Sequence, residues 1–257
     1  MTLSDIKQHL AERGLRPLKQ FGQNFLHDQN ICRWLVEQIG PLEPGVRLLE
    51  IGPGLGAITE VILSAGHPLV AVEKDRGLAA FLRDHLGANP HFELREGDAL
   101  EILPPLGQAE RFPVVCGNLP YNVSTPLIMT LLEWPQPPRR MVFTLQRELA
   151  QRLASGPGTK DYSALTILIQ AEYRVTILKK LPHTVFYHEP EVESAVILME
   201  VRPEPLVPPT RRAEFRAMVK KGFSQRRKRL SNLIGGTDQR RAEELSVEEW
   251  CRRATSL

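Results

Sequence analysis

The hydrophobic positions of this chain fall in short blocks whose period keeps switching between that of a strand and that of a helix. Val46, Leu48, Leu49 and Ile51 form a β-prone run that ends in Gly52-Pro53-Gly54-Leu55-Gly56, and a helix-capable run follows from Ile58 to Leu63. The alternation then continues with a strand at Pro68 to Val72, a helix at Arg76 to Leu86, and strands at Phe92 to Arg95 and Pro113 to Cys116. A helix starts at Ser124 or Thr125, a fifth strand spans Met141 to Leu145, and helices follow at Gln146 to Ser155 and Ala164 to Gln170. Two long extended runs, Tyr173 to Leu181 and Val192 to Val201, read as a closing antiparallel pair. Strands alternating with helices predict an α/β fold on a mostly parallel sheet.

The flanks differ from this body. Residues 1 to 14 predict a short helix with Ser4 as N-cap and Gly14 as its stop. Arg16 to Asp28 fits neither period, yet it carries Phe21, Phe25 and Leu26, so it is expected to be an ordered arm. Asp28 caps a helix reaching about Ile39, and Pro41 to Gly45 turns the chain into the central strand. Gly156 to Asp161 is expected to be a mobile loop beside the site. Arg202 to Thr210 holds four prolines in nine residues and reads as an interdomain linker. The expected organisation is an arm and principal domain over 1–204 and a small basic helical domain over 205–257. A unit that small must borrow core from its neighbours. Within it Phe215, Met218, Val219 and Phe223 mark one apolar side, Gly235-Gly236 a break, and Leu245, Val247 and Trp250 a last amphipathic helix.

Charge sharpens that division. The net charge of +3 conceals a tail, from Arg211 onward, with thirteen Lys and Arg against six Asp and Glu; the first 210 residues have twenty against twenty-four. The tail therefore nets +7 and the body −4, which places a polyanionic partner on the tail or makes that tail an ordinary solvated helix surface. Lys220 to Arg229 alone carries six cations in ten residues. Cys32, Cys116 and Cys251 are scattered and odd in number, which argues against a disulfide framework or a zinc cluster and for a reducing compartment. No apolar run is long enough to span a membrane, and the N-terminus lacks an apolar signal core, so a cytoplasmic protein is expected.

The candidate chemistry lies where the predicted strands end. A strand, a glycine turn and a helix N-terminus let backbone approach an adenosine-type cofactor, although this glycine spacing alone also serves a structural turn. Glu73 lies 21 residues beyond Gly52 at the tip of the second strand, where a carboxylate can accept both hydroxyl protons of a ribose. With Glu50 and Asp98, three successive strands each bring a carboxylate toward one rim. After the fourth strand comes Asn118-Leu119-Pro120-Tyr121-Asn122. The Asn118 side-chain oxygen and the Pro120 carbonyl can accept hydrogens from an exocyclic amine, and Tyr121 can stack on its ring; the alternative is a rigid turn with Tyr121 in the core. Phe186 is either the second wall of a base-holding slot or a core side chain. His183 and His188 lack spaced partners and read as no metal site.

Together, Gly22 to Leu26, Glu50 to Gly56, Gly97 to Leu100, Asn118 to Asn122, Pro190 to Val196 and Gly222 to Lys228 resemble the ribosomal RNA adenine-N6 dimethyltransferases. The likeness is to those that modify two adjacent adenosines in a hairpin near the 3′ end of small-subunit (16S) ribosomal RNA. It covers nearly the whole chain. It implies a Rossmann-like sheet of the class I S-adenosylmethionine-dependent methyltransferases with a small C-terminal helical domain. It further implies that Gln23, Asn24 and Leu26 close over the methyl donor, that Gly52 and Gly54 lie against its methionine part, that Glu73 holds its ribose, and that Asp98 and Ala99 meet its adenine. Asn118, Leu119, Pro120 and Tyr121 would form the catalytic floor, Asn118 also touching the donor, with Phe186 across the target base. Lys220, Lys221, Arg226, Arg227, Lys228 and Arg229 would grip RNA from a basic helix. A monomer that acts during subunit biogenesis, with no metal and no DNA or membrane partner, is the expectation. One departure stands out: the family pattern usually has proline where this chain has His188.

Other classes fit less well. The antibiotic-resistance type of large-subunit ribosomal RNA methyltransferase shares the body but not the Phe223 to Lys228 stretch, and a non-catalytic assembly or transcription factor leaves the glycine and Asn118 to Tyr121 set without a purpose. A DNA adenine methyltransferase needs a larger recognition domain, and a dinucleotide oxidoreductase lacks a dyad for hydride transfer.

Overall fold

The computed structural model describes residues 1–14 and 23–255; most of the expected arm, including Phe21 and Gly22, lies outside them. Helix α1 (Leu3–Glu12) opens the chain. Its N-cap is Thr2 rather than Ser4: the Thr2 hydroxyl accepts the Asp5 N–H while the Asp5 carboxylate accepts the Thr2 N–H, a reciprocal box that Ser4, already inside the helix, cannot make. Strand β1 (Phe25–Leu26) precedes α2 (Gln29–Glu37), which Asp28 caps by accepting the Asn30 and Ile31 N–H groups.

The central units follow as β2 (Leu48–Ile51), α3 (Ala57–Ser64), β3 (Leu69–Glu73), α4 (Arg76–Leu86), β4 (Phe92–Glu96), α5 (Ala99–Ala109), β5 (Val114–Asn118), α6 (Ser124–Leu132) and β6 (Arg140–Gln146). Then come α7 (Arg147–Leu153), α8 (Ala164–Gln170), β7 (Tyr173–Leu181), β8 (Phe186–Tyr187) and β9 (Ser194–Val201). Helices α9 (Arg212–Gly222), α10 (Leu230–Ile234) and α11 (Val247–Thr255) close the chain. Helix α5 has no counterpart in the sequence pattern. Pro104 and Pro105 lie inside it, and each removes a helix N–H donor, so the local signal reads as a break.

The sheet order is β4-β3-β2-β5-β6-β9-β7, with β2 parallel to β3 and β5, β3 parallel to β4, and β5 parallel to β6. The chain thus winds outward from β2 to β4 and returns to β2's other side at β5. A crevice opens at the carboxyl ends of strands where the winding reverses in this way. Strands β2 and β3 are buried along their whole length, as a sheet covered on both faces requires. A separate two-stranded ribbon pairs β1 with β8, Phe25 opposite Tyr187 and Leu26 opposite Phe186.

The chain divides into two compact units. The first comprises Met1–Arg147 with Leu178–Leu198, the second Glu148–Ile177 with Met199–Leu257. The division therefore does not fall at the proline-rich segment. In the second unit α8 and α11 both pack on α9, Trp250 is fully buried with its Nε1–H on the Ala242 carbonyl, and Glu172 is paired to Arg212 and Arg216. Helix α8 supplies the core that the C-terminal residues cannot make by themselves.

Candidate functional site

A cavity of about 240 Å3 in the first unit is lined from the carboxyl ends of four adjacent parallel strands. Gly52 to Leu55 follow β2, Glu73 and Lys74 end β3, Gly97 to Ala99 follow β4, and Asn118 ends β5. Ile6 of α1 and Gln23 to Leu26 complete the wall. Every donor-contact residue expected from sequence, namely Gln23, Asn24, Leu26, Gly52, Gly54, Glu73, Asp98, Ala99 and Asn118, borders this one space.

The glycine turn is shaped by close approach. Gly54 has φ +60, and a Cβ there would come within 3.1 Å of the Phe25 ring. A Cβ on Gly117, just before Asn118, would overlap the Ile51 carbonyl of the neighbouring strand. Backbone at these two places is thus bare by necessity.

The carboxylates have different environments. Glu73 is buried, accepting the Gly54 N–H at 3.0 Å and the Asp75 N–H at 2.9 Å; burial nonetheless pushes its carboxyl up to about 7. Glu50 borders the cavity as well, from a more deeply buried position than the other two. It is 1% exposed and accepts the Thr59 hydroxyl at 2.6 Å, and burial, aided by the charge of Glu73, pushes it up to about 7 as well. Asp98 is half-buried, caps α5 through the Leu100 N–H at 2.9 Å, and meets the Lys74 ammonium at 2.6 Å. That ammonium holds its carboxyl below the usual range.

Asn118 and Asn24 meet across the cavity wall: the Asn118 Nδ2–H donates to the Asn24 carbonyl at 2.7 Å. A carbonyl can only accept, so the amide nitrogen faces Asn24 and Oδ1 is left as the acceptor. Pro120 also lines the cavity, but its carbonyl already accepts the Ser124 hydroxyl at 2.8 Å and the Val123 N–H at 3.2 Å. Leu119 is buried and lines no part of the cavity, nor does Tyr121, whose hydroxyl is 2.5 Å from Ser194 Oγ. Phe186 is 3% exposed in the core cluster, opposite Leu26, so of its two expected placements the core one is observed.

His188 adopts φ +57, a left-handed conformation, and its ring meets Tyr187 edge-on at 4.7 Å. Proline, fixed near −65°, cannot take that conformation, so this loop follows a path closed to the family's usual residue. His183 bonds the Pro190 carbonyl at 2.7 Å and so braces the same loop.

In the second unit the six expected RNA contacts are all exposed, although not as one helix. Lys220 and Lys221 end α9, and Arg226 to Arg229 lie in the turns before α10. Phe223 caps α9, and Gly222 before it admits the Trp250 ring where a side chain would stand. Arg226 donates to the Lys160 carbonyl at 2.6 Å and pairs with Glu243, and Arg229 donates to Gln239. The loop over 156–161 is thus tied to Glu243 and Arg226 within the second unit. All three cysteines are buried and none is in a disulfide. No helix among the described residues is long and apolar enough to cross a membrane.

Sequence reasoning gave no role to Ile6, Phe25, Lys74, Asn122 or Leu127, which also border the cavity. Lys74 had a usable signal, since the residue after a strand-end acid sits at the same rim. Ile6 had none, because its placement depends on how α1 folds back.

A sequence profile described as ribosomal RNA adenine dimethylase matches residues 15–250. The chain is 40% identical over 242 residues to the ribosomal RNA small subunit methyltransferase A of Vibrio atlanticus, covering 91% of this chain and 87% of that one. It is 38% identical over 255 residues to the protein of the same name from Alkaliphilus metalliredigens, covering 90% and 88%. Among solved structures, a dimethyladenosine transferase from Plasmodium falciparum superposes with TM-score 0.71 at 22% identity, covering 82% of this chain and 74% of that one. The 23S rRNA methyltransferase ErmE gives TM-score 0.71 at 25% identity, covering 91% and 99%. The structural likenesses show the methyltransferase fold, and the match over most of the sequence settles the lineage: this chain belongs to the ribosomal RNA adenine dimethylase family.

Proposed function

We propose that this protein transfers methyl groups from S-adenosylmethionine to N6 of two adjacent adenosines in a hairpin near the 3′ end of small-subunit ribosomal RNA, giving N6,N6-dimethyladenosine. The observation that carries this is the convergence of four strand ends on one cavity with the Asn118 amide at its edge, oriented so that its oxygen is left to accept. The curated relatives named for the small subunit favour it over large-subunit modification.

The residues present suit the donor. Bare backbone at Gly52 and Gly54 admits close approach, Glu73 offers a carboxylate for ribose hydroxyls, and Asp98 with Ala99 sits where an adenine amine would be read. Gln23, Asn24 and Leu26 would cover it. When bound, the donor supplies an electrophilic methyl on a sulfonium, which needs no activation.

The protein's task is then to prepare the amine. An adenine N6 is a poor nucleophile because its lone pair is delocalised into the ring. Asn118 Oδ1, accepting one N6 hydrogen, favours a pyramidal nitrogen with that pair turned toward the donor. The Pro120 carbonyl takes the second hydrogen by sharing with, or displacing, the Ser124 hydroxyl. Tyr121 stacks on the base over the floor that Leu119 and Pro120 make. Phe186 as the opposite wall must leave its packed position, giving up much of the roughly 2 kcal/mol of a buried aromatic side chain. No general base is required, since the methylated ammonium loses its proton to water.

RNA is held by Lys220, Lys221 and Arg226 to Arg229, all within 205–257, and methyl transfer belongs to the cavity of the first unit. A monomer acting in the cytoplasm on immature small subunits completes the proposal. The test is transfer of labelled methyl to under-methylated small subunits, with naked RNA, large subunits and duplex DNA alongside. Dimethyladenosine from small subunits is expected. Label on large-subunit RNA would assign the resistance-type activity instead, and tight binding without label would leave an assembly factor.

A further inference from the structure

We infer that Lys74 is a charged plug on the adenine subsite, holding Asp98 in the free enzyme and setting how tightly the methyl donor binds. The inference rests on the assignment of Asp98 to the donor's adenine amine, and it concerns a residue to which that assignment gives no part.

Both carboxylate oxygens of Asp98 are engaged. Oδ1 accepts the Leu100 N–H at 2.9 Å and is fixed there as the cap of α5, while Oδ2 meets the Lys74 Nζ at 2.6 Å. Lys74 and Asp98 line the same cavity, Lys74 directly after the buried Glu73 and Asp98 one strand further out. The ion pair therefore spans the rim from β3 to the start of α5, across the subsite an adenine would enter. An exocyclic amine is a neutral donor, whereas an ammonium adds the Coulomb attraction of its own charge to the hydrogen bond it gives the carboxylate. The amine gains the full accepting strength of Asp98 only when the ammonium leaves. With the lysine side chain 54% exposed and the aspartate 28%, the pair is partly solvated, so the cost of parting them is modest and falls with salt.

The same argument separates competition from simple repulsion. Donor and demethylated product share the adenosine, but only the donor carries a sulfonium charge. A plug that competes for Asp98 penalises both ligands alike, whereas a repelling charge penalises the donor alone.

The experiment is calorimetric titration of S-adenosylmethionine and S-adenosylhomocysteine into the full-length protein and its Lys74→Met, Lys74→Arg and Asp98→Asn variants, at low and high salt. Lys74→Met is expected to tighten both ligands by about two- to fivefold, the range of a partly exposed ion pair, and to flatten the salt dependence. Lys74→Arg, which keeps the pair, should stay near wild type, and Lys74→Met should have no effect when added to Asp98→Asn. Unchanged or weakened binding of both ligands in Lys74→Met, with Asp98→Asn weakened as expected, would overturn the plug alone. Tightening of the sulfonium ligand only would overturn it in favour of repulsion. Wild-type affinity in Asp98→Asn would remove the adenine assignment beneath it.

Discussion

The side-chain amide of Asn118 donates to the main-chain carbonyl of Asn24 at 2.7 Å, joining two residues 94 positions apart in sequence. Asn24 precedes β1, and β1 is held by β8 and by the His27 N–H on the Val185 carbonyl. The segment that walls the cavity thereby also fixes which way the Asn118 amide faces. Asn118→Ala should lower kcat by about 100- to 1000-fold, the usual cost of losing one aligned polar group in a transition state, with donor affinity nearly unchanged. Asn118→Asp keeps an accepting oxygen but sets a carboxylate against the Asn24 carbonyl, so it should fail to rescue. Single-turnover methyl transfer with donor titration reads both, and a parallel loss of donor affinity would make Asn118 chiefly a donor-binding residue.

Glu73 gives the protein a pH signature. Its folded carboxyl titrates at about 7 against 4.5 ordinarily. Between those values the folded state holds a proton that the unfolded chain has released. Stability from this group is therefore complete below about pH 4.5 and lost as pH rises to about 7, by about 3 kcal/mol. On the proposed ribose contact donor binding runs the other way, since only the ionised form offers both oxygens as acceptors without a competing O–H: affinity should climb through pH 7 and level off above it. Glu73→Gln should weaken the donor at pH 8 and flatten the pH dependence of both binding and stability, its single oxygen accepting only one of the Gly54 and Asp75 N–H groups. Titrations and denaturant melts from pH 5.5 to 8.5 would show this, and an unaltered binding profile in Glu73→Gln would locate the titration elsewhere, Glu50 being the other acid pushed to about 7.

The six exposed cations should not act alike. Arg227 and Lys228 show no side-chain partner among the described residues, whereas Arg226 ties the 156–161 loop and Glu243. Replacing Arg227 and Lys228 by Gln should weaken RNA binding evenly across sequences and reduce the slope of log K against log salt by about 0.7 to 0.9 per charge. Adding Arg226→Gln should lower thermal stability as well. A slope that does not move would make the cluster an ordinary solvated surface.

His188 carries local strain that glycine would relieve. His188→Gly should raise stability by up to about 1 kcal/mol, the left-handed cost less the entropy of an added glycine. His188→Pro, the family's usual residue, should lower it by more than about 1 kcal/mol because φ +57 is closed to proline. Paired denaturation curves check the sign, and a stabilised proline variant would show that the loop relaxes to another path.

Much of this protein was written locally. The switching period of apolar positions placed nearly every strand and helix, Asp28 marked its helix start, and the strand-end positions of Glu73, Asp98 and Asn118 followed from counting along β-prone runs. Such features depend on near neighbours, so the sequence determines them. Other features depend on what arrives from far along the chain. Helix α5 holds through two prolines that read as a break because it packs on α6 and its Leu103 carbonyl accepts the Trp134 Nε1–H. Phe186 went to the core because β8 pairs with β1, and α8 joined the C-terminal helices because those helices could not bury Trp250 and Phe215 by themselves. The bonds of Asn118 to Asn24 and of Lys74 to Asp98 belong to this second group. Each joins residues that only the wound sheet brings within hydrogen-bond distance, and a hydrogen bond is decided by that distance rather than by either residue's place in sequence.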